Sequence, residues 1–237
     1  MEIWSDVACP WCYIGKRRLE QALAKFPNAN TVEVTWRAFE LDPSAPREKQ
    51  EGTYIERLAK KYNTSTREAQ TMVDRLVDAA RPDGLDFRFD IMCPGNTFDA
   101  HRLLHWALTE RVQDILKERL FRAYFCEGQM LNDHDTLTRL ASEVGLNPEA
   151  ARAVLQSNAY GQEVREDEKE ARSLGIGGVP FFVIADKFGV SGAQPPEILL
   201  DVLEKAQQSI ALLVPDADPV ADAVCGPETT VISETPR

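Results

Sequence analysis

The chain is most constrained by a pair of cysteines close to its start. Cys9-Pro10-Trp11-Cys12 follows a short apolar run, Ile3-Trp4, and precedes a helical pattern that begins at Tyr13. Two thiols two residues apart, where a strand passes into a helix, are placed to form a disulfide and to trade it with another molecule. Unpaired backbone N–H groups and the dipole at the helix N-terminus favour a thiolate, which predicts that Cys9 is the reactive thiol.

Composition indicates an ordinary globular protein. The chain has 237 residues, of which 43% are hydrophobic and 27% charged, so it can bury a core without a disulfide framework or a structural metal. Lys and Arg number 27 against 38 Asp and Glu, a net charge of −11 that repels phosphate backbones and anionic lipid surfaces. No apolar run approaches the roughly 18 residues that a membrane span needs. We therefore expect neither a nucleic-acid nor a membrane partner.

The five cysteines are sparse and odd in number, unlike those of a secreted disulfide scaffold, which favours a reducing compartment. No basic segment followed by an apolar core precedes the motif, so we expect a cytoplasmic protein without a signal peptide. Cys93 and Cys126 have the contexts of inert small side chains. Cys225 lies in an acidic tail and is a candidate auxiliary thiol, provided that the tail spans the distance to the motif.

Hydrophobic periodicity predicts a β-α-β unit, a helical segment and a β-β-α unit. The first two strands are expected to be parallel, because a helix connects them. We expect five or six amphipathic helices in the middle segment and a hairpin turn near Ala185-Asp186. The predicted elements, in order, are a strand over residues 2–6, a helix to about Phe26, a strand through Val32, Val34 and Trp36, helices over 51–174, strands over 179–184 and 187–192, and a helix over 196–208.

This order, with Cys-x-x-Cys at the first strand-to-helix junction, resembles the thioredoxin fold, and the large helical insertion resembles its DsbA branch. The segments 4–15, 177–182 and 189–194, which include Trp-Ser-Asp, Gly-Gly-Val-Pro-Phe-Phe and Gly-Val-Ser-Gly-Ala-Gln, look like FrnE-type cytosolic DsbA-family oxidoreductases. The resemblance covers residues 1 to about 208 and implies an α/β fold. The implied organisation is a thioredoxin-like domain over residues 1–48 and 175–210, an inserted helical domain over 49–174, and an acidic, Pro-rich C-terminal extension over 211–237.

The resemblance implies that Cys9 is exposed and attacks a substrate disulfide, and that the more buried Cys12 resolves the mixed disulfide. Pro10 stiffens the turn, and Trp11 stands where DsbA carries a histidine, so we expect a less acidic Cys9 and a less oxidising couple. The redox centre is the dithiol itself, with no other cofactor. The expected partners are protein or peptide thiols and disulfides, and a small-molecule or protein thiol reductant for recycling, with glutathione as a candidate exchange partner.

Val179-Pro180 comes directly before the predicted hairpin, at the position of the cis-proline that faces Cys-x-x-Cys in thioredoxin-like proteins. The resemblance therefore implies that the backbone N–H and C=O of Val179 pair with an extended substrate segment. Pro180, Pro10 and Trp11 would contribute to the same substrate-binding surface.

One departure from the family pattern concerns the proton of the resolving thiol. Ile3 stands where thioredoxin-like proteins commonly keep a buried acid, six positions before the first cysteine. Asp6 is a candidate substitute, and its alternative role is that of a loop or cap residue. His101 is a candidate for the rim of the site, with packing inside a helix as its alternative.

Three other interpretations of the motif stay open. A zinc site would need Cys93, His101 and His105 nearby, but the histidine pair lacks the glutamate of a metalloprotease helix, and we predict no metal. A glutathione-dependent isomerase or transferase of the kappa or 2-hydroxychromene-2-carboxylate isomerase type shares the fold but usually has serine at the first motif position, unlike Cys9. A redox-gated adaptor or holdase would present the helical insertion to a partner.

Overall fold

The computed structural model describes residues 1–48 and 52–211. These ranges contain four strands and nine α-helices, which begin and end as follows: β1 Glu2–Ser5, α1 Pro10–Lys25, β2 Thr35–Ala38, α2 Tyr54–Lys61, α3 Thr66–Ala80, α4 Phe98–Thr109, α5 Gln113–Phe125, α6 His134–Glu143, α7 Pro148–Gln156, α8 Gly161–Ser173, β3 Phe181–Ile184, β4 Phe188–Ser191 and α9 Pro196–Ala211. The acidic extension beyond residue 211, with Cys225, lies outside the described residues.

The four strands form one mixed sheet in the order β2-β1-β3-β4. β1 runs parallel to β2 and antiparallel to β3, and β3 and β4 form the antiparallel hairpin. The hairpin turns through Ala185 and Asp186, both with φ of 52°, which is the backbone of a type I′ turn that matches the twist of the strands. The predicted α/β architecture, with a helical insertion between β-α-β and β-β-α units, is therefore confirmed.

Two details of the prediction are wrong. The second strand begins at Thr35 and not at Val32, because residues 29–31 first form a short 3-10 turn that ends at Val32. The described insertion holds seven α-helices instead of five or six. The helices α2 and α7 have only eight and nine residues, which is too short for a three- and four-residue repeat to separate them from their neighbours.

Polar side chains and a glycine cap several helix ends in the insertion. The Ser65 hydroxyl accepts from the Glu68 N–H at 3.2 Å at the start of α3, and the Asn147 side chain accepts from the Ala150 N–H at 2.9 Å at the start of α7. Gly145 ends α6 with φ of +89°, a left-handed conformation that glycine adopts without strain. None of the helices in the described ranges combines the length and the apolar character that crossing a bilayer requires.

The sheet is covered on both faces. α1 and α9 pack against one face around the buried side chains of Leu19, Phe182 and Leu203. α8 covers the other face, where Trp4 packs with Ala171. Burial on both faces explains why Ile3 and Trp4, neighbours in β1 that point to opposite faces, are both apolar and fully covered.

The start of α1 belongs to a third and larger cluster, which the inserted helices build. Cys9 and Cys12 pack in this cluster with side chains of α3, α4 and α5. Tyr13 stacks on Phe121 of α5 with ring centroids 4.8 Å apart. The motif therefore sits between the sheet and the insertion, and both halves of the chain enclose it.

A buried carboxylate fastens α8 to β2. Asp167 is 2% exposed, and its side chain accepts from the Ala38 N–H at 2.7 Å and from Arg37 Nη1 at 3.0 Å. Its Oδ2 also lies 2.8 Å from His105 Nε2 on α4, and its backbone carbonyl accepts from Trp4 Nε1 at 2.9 Å. One residue thus ties two inserted helices to the two parallel strands.

We expect Asp167→Ala to lower the free energy of unfolding by about 2–4 kcal/mol, because it leaves the buried Ala38 N–H without an acceptor and removes one of the two carboxylates that pair with Arg37. Asp201→Ala is the matched control, since Asp201 only forms an exposed pair with Lys205 one turn away on α9, and its expected loss is below about 0.5 kcal/mol. Urea unfolding followed by circular dichroism measures both. Equal losses in the two variants would show that Asp167 does not fasten the helices to the sheet.

Candidate active site

The two cysteines lie at the first turn of α1. Cys9 precedes the helix with φ −92° and ψ 113°, and Pro10 takes the first helical position, where a missing N–H costs nothing. The Cys9 N–H donates to the Asp6 carbonyl at 3.1 Å, and the Cys12 N–H donates to the Cys9 carbonyl at 3.1 Å. The chain therefore turns directly from the end of β1 into the helix and holds both sulfurs at the helix N-terminus.

Both thiols are free and both are buried. Cys9 is 4% exposed and Cys12 is fully covered, so the expectation of an exposed Cys9 is wrong. The inserted helices cover the start of α1, a long-range contact that periodicity does not reveal. The expected order of burial holds, since only Cys9 of the pair reaches solvent, next to the 42% exposed side chain of Trp11.

The Cys9 thiol is not the favoured thiolate that the helix N-terminus predicts. The adjoining Cys12 thiol, and then burial, raise the pKa of Cys9 well above its usual range. The Cys12 backbone N–H lowers this pKa, as a helix N-terminus should, but it is outweighed. Because a second negative charge beside the first is strongly disfavoured in apolar surroundings, the pair carries at most one charge near neutral pH.

The loop before β3 faces the dithiol. The Val179–Pro180 peptide bond is cis, and the Cys9 thiol donates to the Val179 carbonyl across 3.5 Å. Val179 is half-buried and Pro180 is buried, while the Pro180 carbonyl accepts from the Gly192 N–H at 2.8 Å. Within the described residues, the Val179 N–H donates to no protein acceptor.

Gly15 allows α1 to approach this loop. A Cβ at Gly15 would lie 3.0 Å from Pro180 Cγ and 3.4 Å from Phe182 Cζ. Glycine inside a helix costs about 1 kcal/mol relative to alanine, so the helix gives up some stability for this close contact. The contact sets how near Val179 stands to Cys9, and sequence reasoning did not single it out.

Comparison with known proteins agrees with this geometry. A model of the DsbA-like thioredoxin domain matches residues 1–204. The chain belongs to the DsbA-like thioredoxin family. It is 31% identical over 208 residues to the uncharacterized protein YwbO of Bacillus subtilis, covering 87% of this chain and 94% of that protein.

Solved structures give the same result. A probable DsbA oxidoreductase from Streptomyces coelicolor is 41% identical and superposes with a TM-score of 0.83 over 98% of each chain. The cytosolic disulfide reductase DsbM of Pseudomonas aeruginosa, solved with GSH, shares the fold at 16% identity, with a TM-score of 0.61 over 87% of this chain and 98% of that one.

In this DsbA-like site, Asp6 is both a loop acceptor and a buried acid. Its carboxylate is 1% exposed and accepts from the N–H groups of Ala8 at 3.2 Å and Leu41 at 2.8 Å. Burial raises the pKa of Asp6, but His101 and the two backbone N–H groups outweigh it, so that the pKa is lowered. Asp6 is therefore ionised at neutral pH and does not carry the proton expected of the family's buried acid.

His101 is buried against Asp6 and not exposed at the rim of the site, which corrects the expectation. It is 1% exposed, with its Nε2 3.4 Å from Asp6 Oδ1. Burial lowers the pKa of His101, although the Asp6 carboxylate opposes this shift. His101 therefore packs inside the fold and also contacts Asp6.

The residues proposed for a zinc site are not brought together. His105 lies against Asp167, and the Cys93 thiol donates to the Ile91 carbonyl at 3.6 Å. Across the described ranges, no three His, Cys, Asp or Glu side chains are arranged to hold a metal ion.

Lys117 is a residue that sequence reasoning missed. It is fully buried on α5 and donates from Nζ to the Ser5 carbonyl at 3.4 Å. Its Nζ also lies 5.0 Å from the Phe121 ring centroid and 5.3 Å from that of Trp36. Its position in the helical repeat, on the same face as Phe121 and Tyr124, is the sequence signal that could have indicated its burial.

We expect Gly15→Ala to slow disulfide exchange by about tenfold or more, because displacing a positioning element by even 1 Å is costly. The added methyl group presses on the Pro180 ring and moves Val179 from Cys9. Gly177→Ala is the matched control, since a Cβ at Gly177 meets nothing within 4 Å. Insulin reduction and thermal melts measure the rate and the fold. An unchanged rate in a folded Gly15→Ala variant would contradict this role.

Proposed function

We propose that the chain is a thiol-disulfide oxidoreductase that exchanges disulfides with protein or peptide substrates through Cys9 and Cys12. One observation carries the proposal. Two free thiols share the first turn of α1, only Cys9 reaches solvent, and its sulfur lies 3.5 Å from the carbonyl of Val179. The backbone of Val179, which can bind a peptide, therefore lies beside the Cys9 sulfur, which can attack a disulfide in that peptide.

The exchange proceeds in two displacements. The Cys9 thiolate attacks one sulfur of a substrate disulfide, forming a mixed disulfide and releasing the other sulfur as a thiolate that takes a proton. Cys12 then loses its proton and attacks the Cys9 sulfur, so that the Cys9–Cys12 disulfide forms and the second substrate thiol leaves. The substrate gains two electrons and two protons, and the protein dithiol loses them.

Substrate binding would rest on the backbone more than on specific side chains. The Val179 N–H and carbonyl can pair with an extended segment as a short added strand, once the Cys9 thiol has given up its bond to the carbonyl. The exposed Trp11 and the ring of Pro10 offer apolar contact on the helix side, with Pro180 beneath the loop. This surface favours unfolded or extended segments of many sequences.

The raised pKa of Cys9 supports a reductase or isomerase more than a strong oxidant. A strong oxidant needs a stabilised reduced form, whereas burial and the Cys12 thiol disfavour ionisation of Cys9 here. The sparse cysteines favour the cytoplasm, where a thiol reductant must recycle the pair. Because the structure of the Pseudomonas reductase DsbM was solved with GSH, glutathione is the first recycling thiol to test.

We expect Cys9→Ser to slow insulin reduction by at least about a hundredfold, since it removes the nucleophile. Cys12→Ser should instead trap a mixed disulfide between Cys9 and a peptide, which mass spectrometry detects. Cys93→Ser is the control, because the Cys93 thiol bonds to the Ile91 carbonyl at 3.6 Å, and its rate should equal that of the wild type. Equal rates for wild type and Cys9→Ser would refute the proposal.

The same variants separate the rival functions. A glutathione-dependent isomerase would bind glutathione without exchanging disulfides, and the presence of a thiol at both motif positions argues against it. A holdase would still bind unfolded clients in the Cys9→Ser/Cys12→Ser variant with unchanged affinity. Client binding that persists in this variant, together with no disulfide exchange by the wild type, would support the holdase.

A further inference from the structure

One face of α1 connects the loop beside the dithiol with the inserted helices. Gly15, Arg18 and Gln21 are spaced three residues apart and therefore lie on the same side of the helix. A Cβ at Gly15 would lie 3.0 Å from Pro180 Cγ and 3.6 Å from the Cβ of Ala193. This face of α1 therefore packs against two loops, the loop before β3 and the loop that joins β4 to α9.

Arg18 holds the second of these loops. Its Nη1 donates to the Ala193 carbonyl at 2.6 Å, and its Nε donates to Asp83 Oδ2 at 3.0 Å. Asp83 ends a short 3-10 helix in the insertion, Arg81–Asp83, and its other carboxylate oxygen accepts from Gln21 at 3.2 Å. Because the donors of a planar guanidinium point in fixed directions, one arginine can bind both acceptors in a single orientation.

The ion pair of Arg18 and Asp83 is largely shielded from water. Their side chains are 21% and 7% exposed. The neighbouring pair of Arg81 and Asp78 differs, with side chains that are 73% and 71% exposed. Solvent screens an exposed pair such as the second one, whereas the shielded carboxylate of the first restricts the guanidinium to the orientation that reaches the loop.

The loop that Arg18 holds also supports the cis peptide beside Cys9. The Gly192 N–H donates to the Pro180 carbonyl at 2.8 Å. Val179 and Ala193 both pack against the apolar cluster that contains the two cysteines, and the Val179 carbonyl accepts from the Cys9 thiol at 3.5 Å. A continuous series of contacts therefore leads from the arginine to the backbone proposed to bind substrate.

The contact with Arg18 differs from the other hydrogen bonds of this loop. The Gln194 N–H donates to the Gly192 carbonyl at 2.9 Å, and its side chain donates to the Ser191 carbonyl at 2.8 Å. These bonds close the loop on itself, whereas the Ala193 carbonyl accepts from another element of the fold. The arginine therefore fixes the loop relative to α1 and to the sulfurs that α1 carries.

We propose that Arg18 is a positioning residue for substrate binding: it holds the Ala193 loop against α1 and so sets where the Val179 backbone lies relative to Cys9, while Asp83 of the insertion orients it. The inference rests on the proposed function, in which the Val179 backbone binds an extended segment of the substrate. The hydrogen bonds of Arg18 go to Ala193 and Asp83. Its loss should therefore weaken exchange with peptides and spare exchange with disulfides that have no peptide backbone.

We expect Arg18→Met to slow exchange with insulin by about tenfold, because a small displacement of a positioning element is costly, and to leave exchange with hydroxyethyl disulfide unchanged. Both rates are measured in single turnovers of the reduced full chain, by acid quenching, alkylation and mass spectrometry of the Cys9–Cys12 disulfide. Arg81→Met is the control, since Arg81 forms the exposed pair with Asp78, and both of its rates should match the wild type.

A merely structural role predicts a different result. If Arg18→Met only loosened the fold around the sulfurs, exchange with insulin and with hydroxyethyl disulfide would slow by the same factor. Equal slowing of both reactions, or unchanged rates for both, would overturn the proposal.

Asp83→Asn addresses the part assigned to the insertion. This substitution keeps the size of the side chain and removes the charge that orients Arg18, so insulin exchange should slow by about threefold, the effect of one weakened hydrogen bond. The double variant Arg18→Met/Asp83→Asn should be no slower than Arg18→Met, because residues that act through one contact are not additive. Losses that multiply in the double variant would contradict the role of Asp83.

Hydrogen exchange gives a measurement that does not depend on activity. Exchange of the Gly192 amide reports on its bond to the Pro180 carbonyl, and Arg18→Met should speed it by about tenfold, because the loop opens more easily without its hydrogen bond to α1. Arg18→Lys, which keeps the charge but not the fixed directions of the guanidinium, should speed it less and serves if Arg18→Met fails to fold. The amides of β1 should be unaffected.

Unchanged exchange of the Gly192 amide in both variants would overturn the proposal, whatever the rates with insulin. A wild-type chain that exchanges with neither disulfide would instead contradict the proposed function, and the amide measurement would still decide whether Arg18 positions the loop.

Discussion

The site depends on one constraint: two thiols that must lose protons are buried in an apolar cluster at the start of α1. Cys9 keeps 4% of its surface, and Cys12 keeps none. Burial of this kind protects the pair from indiscriminate reaction, but it penalises every charge that the chemistry creates. The contacts of the motif reduce that penalty. The helix N-terminus supplies partial positive charge, and the Val179 carbonyl accepts a hydrogen bond from the Cys9 thiol.

Most of the fold was accessible from the sequence, because it follows from local patterns. Strand alternation, helix periodicity and the helix caps at Ser65 and Asn147 all act over a few residues. The start of β2 was misplaced because a 3-10 turn and an extended strand are both compatible with alternating Val32 and Val34. The helix count was low because single short helices contain too few turns to define a period.

The site was accessible only in part, because its chemistry depends on long-range burial. The cysteine pair and Val179-Pro180 are visible as motifs. The burial of Cys9, which raises its pKa, depends on helices that follow it by many residues. Lys117 lies in an amphipathic helical repeat, and its burial against Trp36 of β2 depends on packing between distant elements. Gly15 carries no signal until the Pro180 ring is seen to lie against it.

The missing acid at Ile3 has a structural explanation. Ile3 pairs with Trp36 and Phe182 in the sheet, and it packs in the cluster under α1 and α9, separate from the cluster that holds Cys12. An acid at this position would be buried among apolar side chains, with a high cost and no partner. The buried ionisable groups of this region are instead Asp6 on the loop after β1, His101 on α4 and Lys117 on α5. The inserted helices therefore do more than cover the site. They carry His101 and Lys117, two buried ionisable groups, so substitutions in the insertion can alter the electrostatics of the site without changing the sheet that positions it.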